Sequence, residues 1–500
     1  MQNDLLQVSV RMYRVGELGD CFLLRFGNNG TSTNVLIDCG SFRNSDKSEK
    51  RMQLIWSDIE RELGGKPLNV VVGTHQHNDH LSGFVHGQTS FKRVGAEEVW
   101  LSWLDDPKDS AARVIRQEQE KAITRIVDLG TKLAASGFKS LEVADKVSSI
   151  LGFSDPVVPA QGLRILKSTG NKTRYLDPGE IVPLPGMEEE VRVFVLGPPK
   201  NNDKLKDIRP SSGESYDPHL AAAGAQAGKM ISAFDNFEPD ADAWEEEHFP
   251  FTRHFKVPLD IFKERAKTYQ KEVRLKNKEK EKNKQNDAQG DQEKCVPVWG
   301  SYYDETNDWR NIDSDWLEEA SNLALYMDRY TNNTSLVLAF HLVRAGKFLL
   351  FVGDAQTGNW NSWKDIKWPK QYERFSINDL LNNTILYKVG HHCSHNATAV
   401  AGLEAMNDES LVAMIPVDDS DPNIKKTKGW KMPAKNLYKR LKEKTGNRVV
   451  RMDAGVISEG NPVTRDKKQS WPTLGHDHEL VKTDLYVEYT FTPGKPLTTT

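Results

Sequence analysis

No stretch of the 500-residue sequence approaches the ~20 consecutive apolar residues that a membrane helix needs, so no membrane partner is expected. The opening residues, MQNDLLQVSVRMYRV, lack a basic segment followed by an apolar one, and no secretory signal is expected from them. Cysteine is scarce: four in a chain this long make no disulfide framework and read as reduced thiols, which predicts a cytoplasmic setting. Charge of one sign is lacking too. The 67 Lys and Arg nearly balance the 71 Asp and Glu, and a formal net charge of −4 draws the chain to no polyanion as a whole. Neither a Gly-X-Ser-X-Gly elbow nor a phosphate-binding P-loop occurs, so serine-nucleophile and P-loop mechanisms have no support. What is present is a globular composition, 38% apolar and 28% charged, with 12 Trp, 13 Tyr and 19 Phe to fill a core.

Five short apolar runs have strand character, and each ends in residues of chemical or conformational interest: Asn34–Ile37 before Asp38, Val70–Val72 before Gly73-Thr74-His75, Val191–Leu196 before Gly197, Phe348–Val352 before Gly353-Asp354, and Ile385–Val389 before Gly390-His391-His392. Continuous rather than alternating runs predict strands buried on both faces, hence a layered α/β fold. In such folds ligand-holding residues gather at the carboxyl ends of strands. A hairpin, Val8–Val15 and Cys21–Phe26, precedes them. Two stretches differ in character. Residues from about Asp106 to Ser154 have helical spacing. Between Lys200 and Thr331 lie an acidic segment, Asp235–Glu247, and a run from Lys263 to Lys294 with eleven basic and seven acidic residues, the pattern of a solvated helix fraying into a loop. The predicted organisation is a core made of residues 1–105, 161–200 and 332–500, with a helical insertion at 106–160 and a charged, partly disordered one at 201–331.

Thr74-His75-Gln76-His77-Asn78-Asp79-His80 places four potential metal ligands within six residues, directly after a predicted strand. His75 and His77, two apart in an extended turn, can grip one cation. Asp79 and His80, at the start of the next helix, can face a second. A helix start also favours the neutral imidazole that metal binding requires. With only 13 histidines in the chain, this grouping is poorly explained as a chance surface cluster.

This motif resembles the His-X-His-X-Asp-His signature of the metallo-β-lactamase fold superfamily, which implies a four-layered αββα fold, here with two long insertions. The resemblance implies that Asp38 orients the histidine loop from behind, that Asp354 bridges two metals, and that His391-His392 is the last ligand motif. His392 is favoured as the ligand, leaving His391 to face substrate as a donor or acid. Within the superfamily the chain is similar to competence-protein (ComEC-type) hydrolases, through Val15–Asp20, Asn333–Leu338, Leu386–Ser394 and the stretch from Met432 to Gly455. Many superfamily members supply a third histidine to the first metal after the third strand; here that place reads Val195-Leu196-Gly197-Pro198-Pro199, without a ligand. Either Asp354 and solvent complete the site, or His219, His248 or His254 reaches in. The usual glycine after the paired histidines is Cys393, which, like Cys39, is either a soft ligand or a small buried residue.

The expected chemistry is hydrolysis by a metal-activated water, with Asp79 orienting the attacking oxygen and two divalent ions, Zn or Mn with Fe also compatible, as cofactors. Lys388 is expected either to stabilise a phosphoryl oxygen or to snorkel at the core edge. The resemblance implies a phosphodiester substrate such as DNA. An independent feature agrees: Ile424–Arg451 holds eleven Lys or Arg against Glu443 alone, with Trp430 and Tyr438 interleaved. Lys425, Lys426, Lys428, Trp430, Lys431, Lys435, Lys439 and Arg440 are the candidate nucleic-acid contacts. The competing reading of that stretch is an ordinary helix, roughly Ala434–Lys444, with Leu437 and Leu441 packed inward. Alternatives for the whole chain are a hydrolase of a small phosphoester, such as a phosphocholine-type group, and a metal-binding scaffold docking a protein partner through its insertions.

Overall fold

The computed structural model describes residues 6–28, 30–121, 157–208, 210–211, 213–216, 264, 268, 271, 275, 327–418, 420–421, 424, 430–453 and 478–493. The chain forms two compact units, Met1–Ala225 with Ala324–Thr500, and Gln226–Leu323. In the second, Glu264, Thr268, Lys271 and Leu275 are helical and exposed. The elements below belong to the first.

Two sheets form its centre. The first holds eight strands: β1 (Gln7–Tyr13), β2 (Cys21–Asn28), β3 (Thr31–Cys39), β4 (Leu68–Val72), β5 (Ala96–Ser102), β6 (Gly170–Leu176), β14 (His478–Lys482) and β15 (Tyr486–Phe491), in the order β14-β15-β1-β2-β3-β4-β5-β6. The second holds β7 (Ile181–Pro183), β8 (Val191–Gly197), β9 (Val337–Leu342), β10 (Lys347–Phe351), β11 (Thr384–Lys388), β12 (Val412–Ile415) and β13 (Val449–Arg451), in the order β13-β12-β11-β10-β9-β8-β7. In each sheet an antiparallel part gives way to a parallel one: β3, β4, β5 and β6 run parallel, as do β10, β11, β12 and β13.

The continuous apolar runs have a direct explanation. Successive strand side chains point to opposite faces. In β9, Leu338, Phe340 and Leu342 join the large cluster that also contains the strands of the first sheet, while Val337 and Ala339 join the cluster under Trp360, Trp363, Leu437 and Leu441. Val412 and Met414 of β12 likewise face one cluster, Ala413 and Ile415 the other. On the far side of the first sheet, α1 (Asp46–Leu63) contributes Met52, Ile55, Trp56 and Ile59, and α2 (Asn78–His86) and α3 (Gln88–Val94) contribute Leu81, Phe84 and Phe91. Helix, sheet, sheet and helix thus form four layers. The expected αββα architecture is observed.

Residues 110–121 are helical, 106–109 form the turn before them, and the rest of the expected helical insertion lies outside the described residues apart from 157–160. Those four open the helix Val157–Thr169, in which Gly162 lies against Leu81 of α2. Residues 202–216 and 327–331, assigned by sequence to the charged insertion, contribute buried Leu205, Ile208, Met327 and Tyr330 to the first unit. Among the described residues no helix is long and apolar enough to cross a membrane.

The β1–β2 hairpin does more than close a sheet edge. The Asp20 N–H donates to the Asp79 carbonyl at 2.9 Å, and the Gly40 N–H donates to the Asp20 carbonyl at 3.0 Å, so hairpin, β3 end and α2 start are latched together. Gly40 is required by this approach: a Cβ there would meet the backbone of Asp79 and His80 at 2.4 Å. Gly40→Ala is expected to destabilise the fold by about 1–3 kcal/mol. Urea denaturation measures it, and an unchanged midpoint would contradict the latch.

Candidate metal centre

Strand ends from both sheets deliver the site. Asp38, near the end of β3 with φ 55°, accepts from the Thr74 N–H at 2.8 Å through Oδ1, and from the Thr74 hydroxyl and His80 Nδ1, each at 2.7 Å, through Oδ2. A carboxylate on one imidazole nitrogen fixes the ring so that the other faces inward. His77 is the N-cap residue of α2, with extended backbone, and Asp79 and His80 occupy the first turn. After β11, His391, His392 and Cys393 take φ of 41°, 51° and 64° in succession, a left-handed path that L-residues rarely follow. Cys393 stands where glycine is usual because its own φ is positive, and its thiol belongs to the apolar core. Cys39 contacts Met52 Sδ at 3.9 Å. Both thiols are therefore buried core groups rather than ligands.

His75 Nε2 lies 3.0 Å from His77 Nδ1, and His75 Nδ1 is held by Thr74 Oγ1 at 3.0 Å and Ser335 Oγ at 3.2 Å. His392 Nδ1 donates to the Pro416 carbonyl at 2.6 Å, leaving Nε2 3.1 Å from Asp79 Oδ2. His80 Nε2 lies 3.2 Å from Asp354 Oδ2. Three sets of ligand atoms, each within 4.8 Å, result among the described residues: His75–His80–Asp354, Asp79–Asp354–His392 and Asp20–Asp38–His80. The first two share Asp354, and among the described residues His80 groups with His75 rather than with Asp79, while His77 enters no set. His80 Nε2, Asp79 Oδ1 and Asp354 Oδ2 are buried without a hydrogen-bond partner. Leaving such groups unsatisfied costs about 1–3 kcal/mol each, and imidazole nitrogens facing carboxylate oxygens are the donor set divalent cations take. The residues fit metal ions.

Electrostatics divides the imidazoles. Burial, with the neighbouring His80 and His77, holds His75 well below the ordinary value, and burial holds His77 down to about 4. For His80, burial opposes the charge, but Asp354, Asp79, Asp38 and Asp20 prevail and raise it well above. In His392 burial is likewise outweighed, first by the hydrogen bond to Asp79. The helix start, expected to favour a neutral imidazole, is opposed at His80 by four carboxylates in the ion-free chain. Burial would raise Asp79 and Asp354, yet the charge on His80 keeps both below the usual carboxylate range.

Other expected residues are placed differently. His391 Nδ1 meets Ser394 Oγ at 2.9 Å and its N–H donates to Asp354 Oδ1 at 2.9 Å, while burial holds the ring down to about 3. It is neutral near pH 7, and since the Ser394 hydroxyl donates to Asn396 Oδ1 the ring proton sits on Nδ1, so the expected donor or acid has only a lone pair at Nε2. Lys388 neither contacts an open substrate space nor snorkels. Its Nζ is buried, paired with Asp20, donating to the Gly353 carbonyl at 2.7 Å and lying 3.4 Å from Asp354 Oδ1. Three acceptors occupy its three N–H groups, so its role is to hold Asp354. Arg440 is also committed, to both oxygens of Glu404 and to Glu443. Trp430 packs edge-on against Phe42. Lys431, Lys435 and Lys439 are exposed, whereas Lys425, Lys426, Lys428, His219, His248 and His254 lie outside the described residues.

Three site residues carried no expected role. Asp20 lies 3.9 Å from His80 Nδ1 and pairs with Lys388. Asn332 and Asp328, on the helical segment 327–333, approach His75 and His77. The place opposite those histidines was sought after β8, at Val195–Pro199; there the Pro198 carbonyl instead accepts from Trp103 Nε1 at 3.0 Å. The available signal was the spacing of four between Asp328 and Asn332, just before the Asn333–Leu338 phrase.

Fold and site together fit a metal-dependent hydrolase. Residues 14–137 match the family model described as the metallo-beta-lactamase superfamily, and the matched part contains Asp38, His75, His77, Asp79 and His80. None of the curated proteins compared with the chain matches it.

Two predictions follow from the geometry. Asp38→Ala, which frees the His80 ring and the Thr74 backbone, is expected to lower cation affinity about 10–100-fold, as read by calorimetric titration; unchanged affinity would contradict the orienting role. Neighbouring carboxylates favour protons on His80 and His392 in the ion-free chain, and a cation competes for the same Nε2 atoms. Binding should therefore release protons and tighten as pH rises, by about tenfold per unit for each proton displaced. A binding enthalpy for Mn2+ that does not depend on the buffer would refute this.

Proposed function

We propose that this chain hydrolyses phosphodiester bonds, as a nuclease or phosphodiesterase acting on DNA or a similar polyanion. The observation that carries the proposal is the pair of imidazole–carboxylate sets sharing Asp354. Two divalent cations, Zn, Mn or Fe, would supply Lewis acidity and lower the pKa of water from 15.7 towards about 7. The chain's own residues supply the rest. Asp79 orients the attacking water, His391, its Nδ1 proton held by Ser394, keeps Nε2 as a neutral acceptor, and Lys388 fixes Asp354 while taking no substrate contact.

The basic helix supports the substrate class. In Lys435–Lys444, Leu437 and Leu441 are buried, and Lys435, Tyr438, Lys439 and Lys442 line a surface hollow of about 420 Å3. The Ala434 N–H at its start donates to the Cys393 carbonyl at 2.7 Å, directly beside His391 and His392. A phosphate backbone lying on the lysines would thus run towards the metal centre. Cys21, Cys39 and Cys393, buried and in no disulfide, suit a reducing, cytoplasmic setting within the same proposal. One observation favours the rival small phosphoester: Glu404 neutralises Arg440, and its carbonyl takes Lys444 Nζ, so the basic face is smaller than the residue count suggests.

Labelled single- and double-stranded DNA, RNA and a generic phosphodiester, incubated under Zn2+ and then Mn2+, distinguish these readings. Polynucleotide cleavage absent from Asp79→Ala is expected. Three backbone contacts should make binding about 20–40-fold weaker between ~50 and 200 mM salt, and replacing Lys435, Lys439 and Lys442 with Ala should flatten that dependence. Cleavage of only the small ester, indifferent to salt and to the lysines, would overturn the nucleic-acid reading.

A further inference from the structure

The third side of the His75–His77 pair is occupied by the helical segment 327–333, which brings two side chains into the centre. Asn332 Oδ1 lies 3.1 Å from His75 Nε2, which itself lies 3.0 Å from His77 Nδ1. An amide oxygen and two imidazole nitrogens therefore converge in a space closed to solvent, since Asn332 and His77 are each 1% exposed and His75 3%. The orientation of the amide is set from behind. Asn332 Nδ2 donates to Asp328 Oδ2 at 3.4 Å, one helical turn earlier, which turns Oδ1 towards His75. The other Asp328 oxygen, Oδ1, faces His77 Nε2 at 3.6 Å, and both atoms are buried without a hydrogen-bond partner. A small movement of either closes that gap, placing a proton on His77 Nε2 and leaving Nδ1 as the inward lone pair.

We propose that Asn332 Oδ1 is the third protein ligand of the cation held by His75 and His77, and that Asp328 is its positioning residue, fixing the Asn332 amide and the His77 ring with one carboxylate. The inference rests on the metal-centre reading above. It has a chemical consequence. An oxygen in place of a third nitrogen makes this set harder than an all-imidazole one, which shifts its preference from Zn2+ towards Mn2+ or Fe2+. The competing account is a plain hydrogen bond from His75 Nε2 to the Asn332 amide, with no bearing on metal.

Calorimetric titration of the full chain with Mn2+ and with Zn2+, paired with elemental analysis after dialysis, separates the two. The reference variants are His77→Ala, which removes the first binding step, and His392→Ala, which removes the other. Asn332→Ala is expected to weaken the same step as His77→Ala by at least about tenfold, leaving the His392 step intact, and Asp328→Asn to weaken it about 10–100-fold. Asn332→Asp, which keeps an oxygen donor, should retain two ions. Two ions bound by Asn332→Ala with wild-type affinity would overturn the assignment while leaving the metal centre standing; no ion bound by the wild-type chain would overturn the metal centre itself. Should circular dichroism show Asn332→Ala unfolded, Asp328→Asn, which keeps the side-chain volume, decides alone, and an unchanged first step then refutes the proposal.

Discussion

Asp20, Asp38, Asp79, Asp328 and Asp354 are all buried around one group of strand ends, and carboxylates gathered away from solvent repel one another unless positive charge joins them. Much of the local structure follows from that constraint. Lys388 is buried beside Asp20 and Asp354 rather than reaching water. Four carboxylates raise His80 well above the ordinary imidazole value, and the hydrogen bond to Asp79 leads those that raise His392. Asp328, beside Arg329, is pushed up to about 8 by burial and by Asp79 and Asp354. Lys388 and these two imidazoles answer the five aspartates only in part, and that makes a pair of divalent cations a physical fit for this place.

The fold serves that constraint by bringing the ends of β3 and β10 to the same point from different sheets. Thr74 shows how. Its N–H and hydroxyl bind Asp38 of the first sheet, while its carbonyl accepts the Leu336 N–H at 2.9 Å at the start of β9 in the second. Gly353, with φ 53°, lies against Thr74 and Ser335, where a Cβ would approach their side chains to 2.9–3.1 Å. Ser335 Oγ in turn accepts from the Asp354 N–H at 2.9 Å. The residue that precedes the histidine motif is therefore the joint between the sheets, and the shared carboxylate is placed from the same joint.

Much of this was legible in the sequence because it is local. The five apolar runs became strands buried on both faces, three of them in the second sheet shared between two clusters, and His75, His77, Asp79 and His80 are close in the chain as well as in space. The helix expected at Ala434–Lys444 begins at Lys435 with Ala434 as its cap. What was hidden depends on distance along the chain or on a partner. Asp328 and Asn332 meet His77 and His75 across about 250 residues, and nothing in an isolated Asp-X-X-X-Asn marks it as facing a site. Arg440 reads as a free cation until Glu404, 36 residues away, is found against it. Lys388 reads as a substrate contact until Asp20, at the other end of the chain, takes its charge. The carboxylates around His80 were hidden for the same reason, and beside four of them a helix terminus is a weak local effect.

The turn at His391–Cys393 shows why the second sheet needs its outer helix layer. Three consecutive positive φ values in non-glycine residues cost of order 1–3 kcal/mol each and persist only where the surroundings over-determine them. Here the His391 N–H is bound by Asp354, the Cys393 N–H by the Gly390 carbonyl at 2.9 Å, and the Cys393 carbonyl by Ala434 at 2.7 Å. Ala434 is fixed in turn because Leu437 and Leu441, one and two turns on, are anchored under β11 and β12. The helix that presents lysines to solvent on one face thus braces, through its other face and its first residue, the turn that aims His392 at Asp79. Substrate surface and ligand geometry are parts of one rigid element, so loosening the Leu437–Leu441 anchor would disturb the metal centre before it disturbed the basic face.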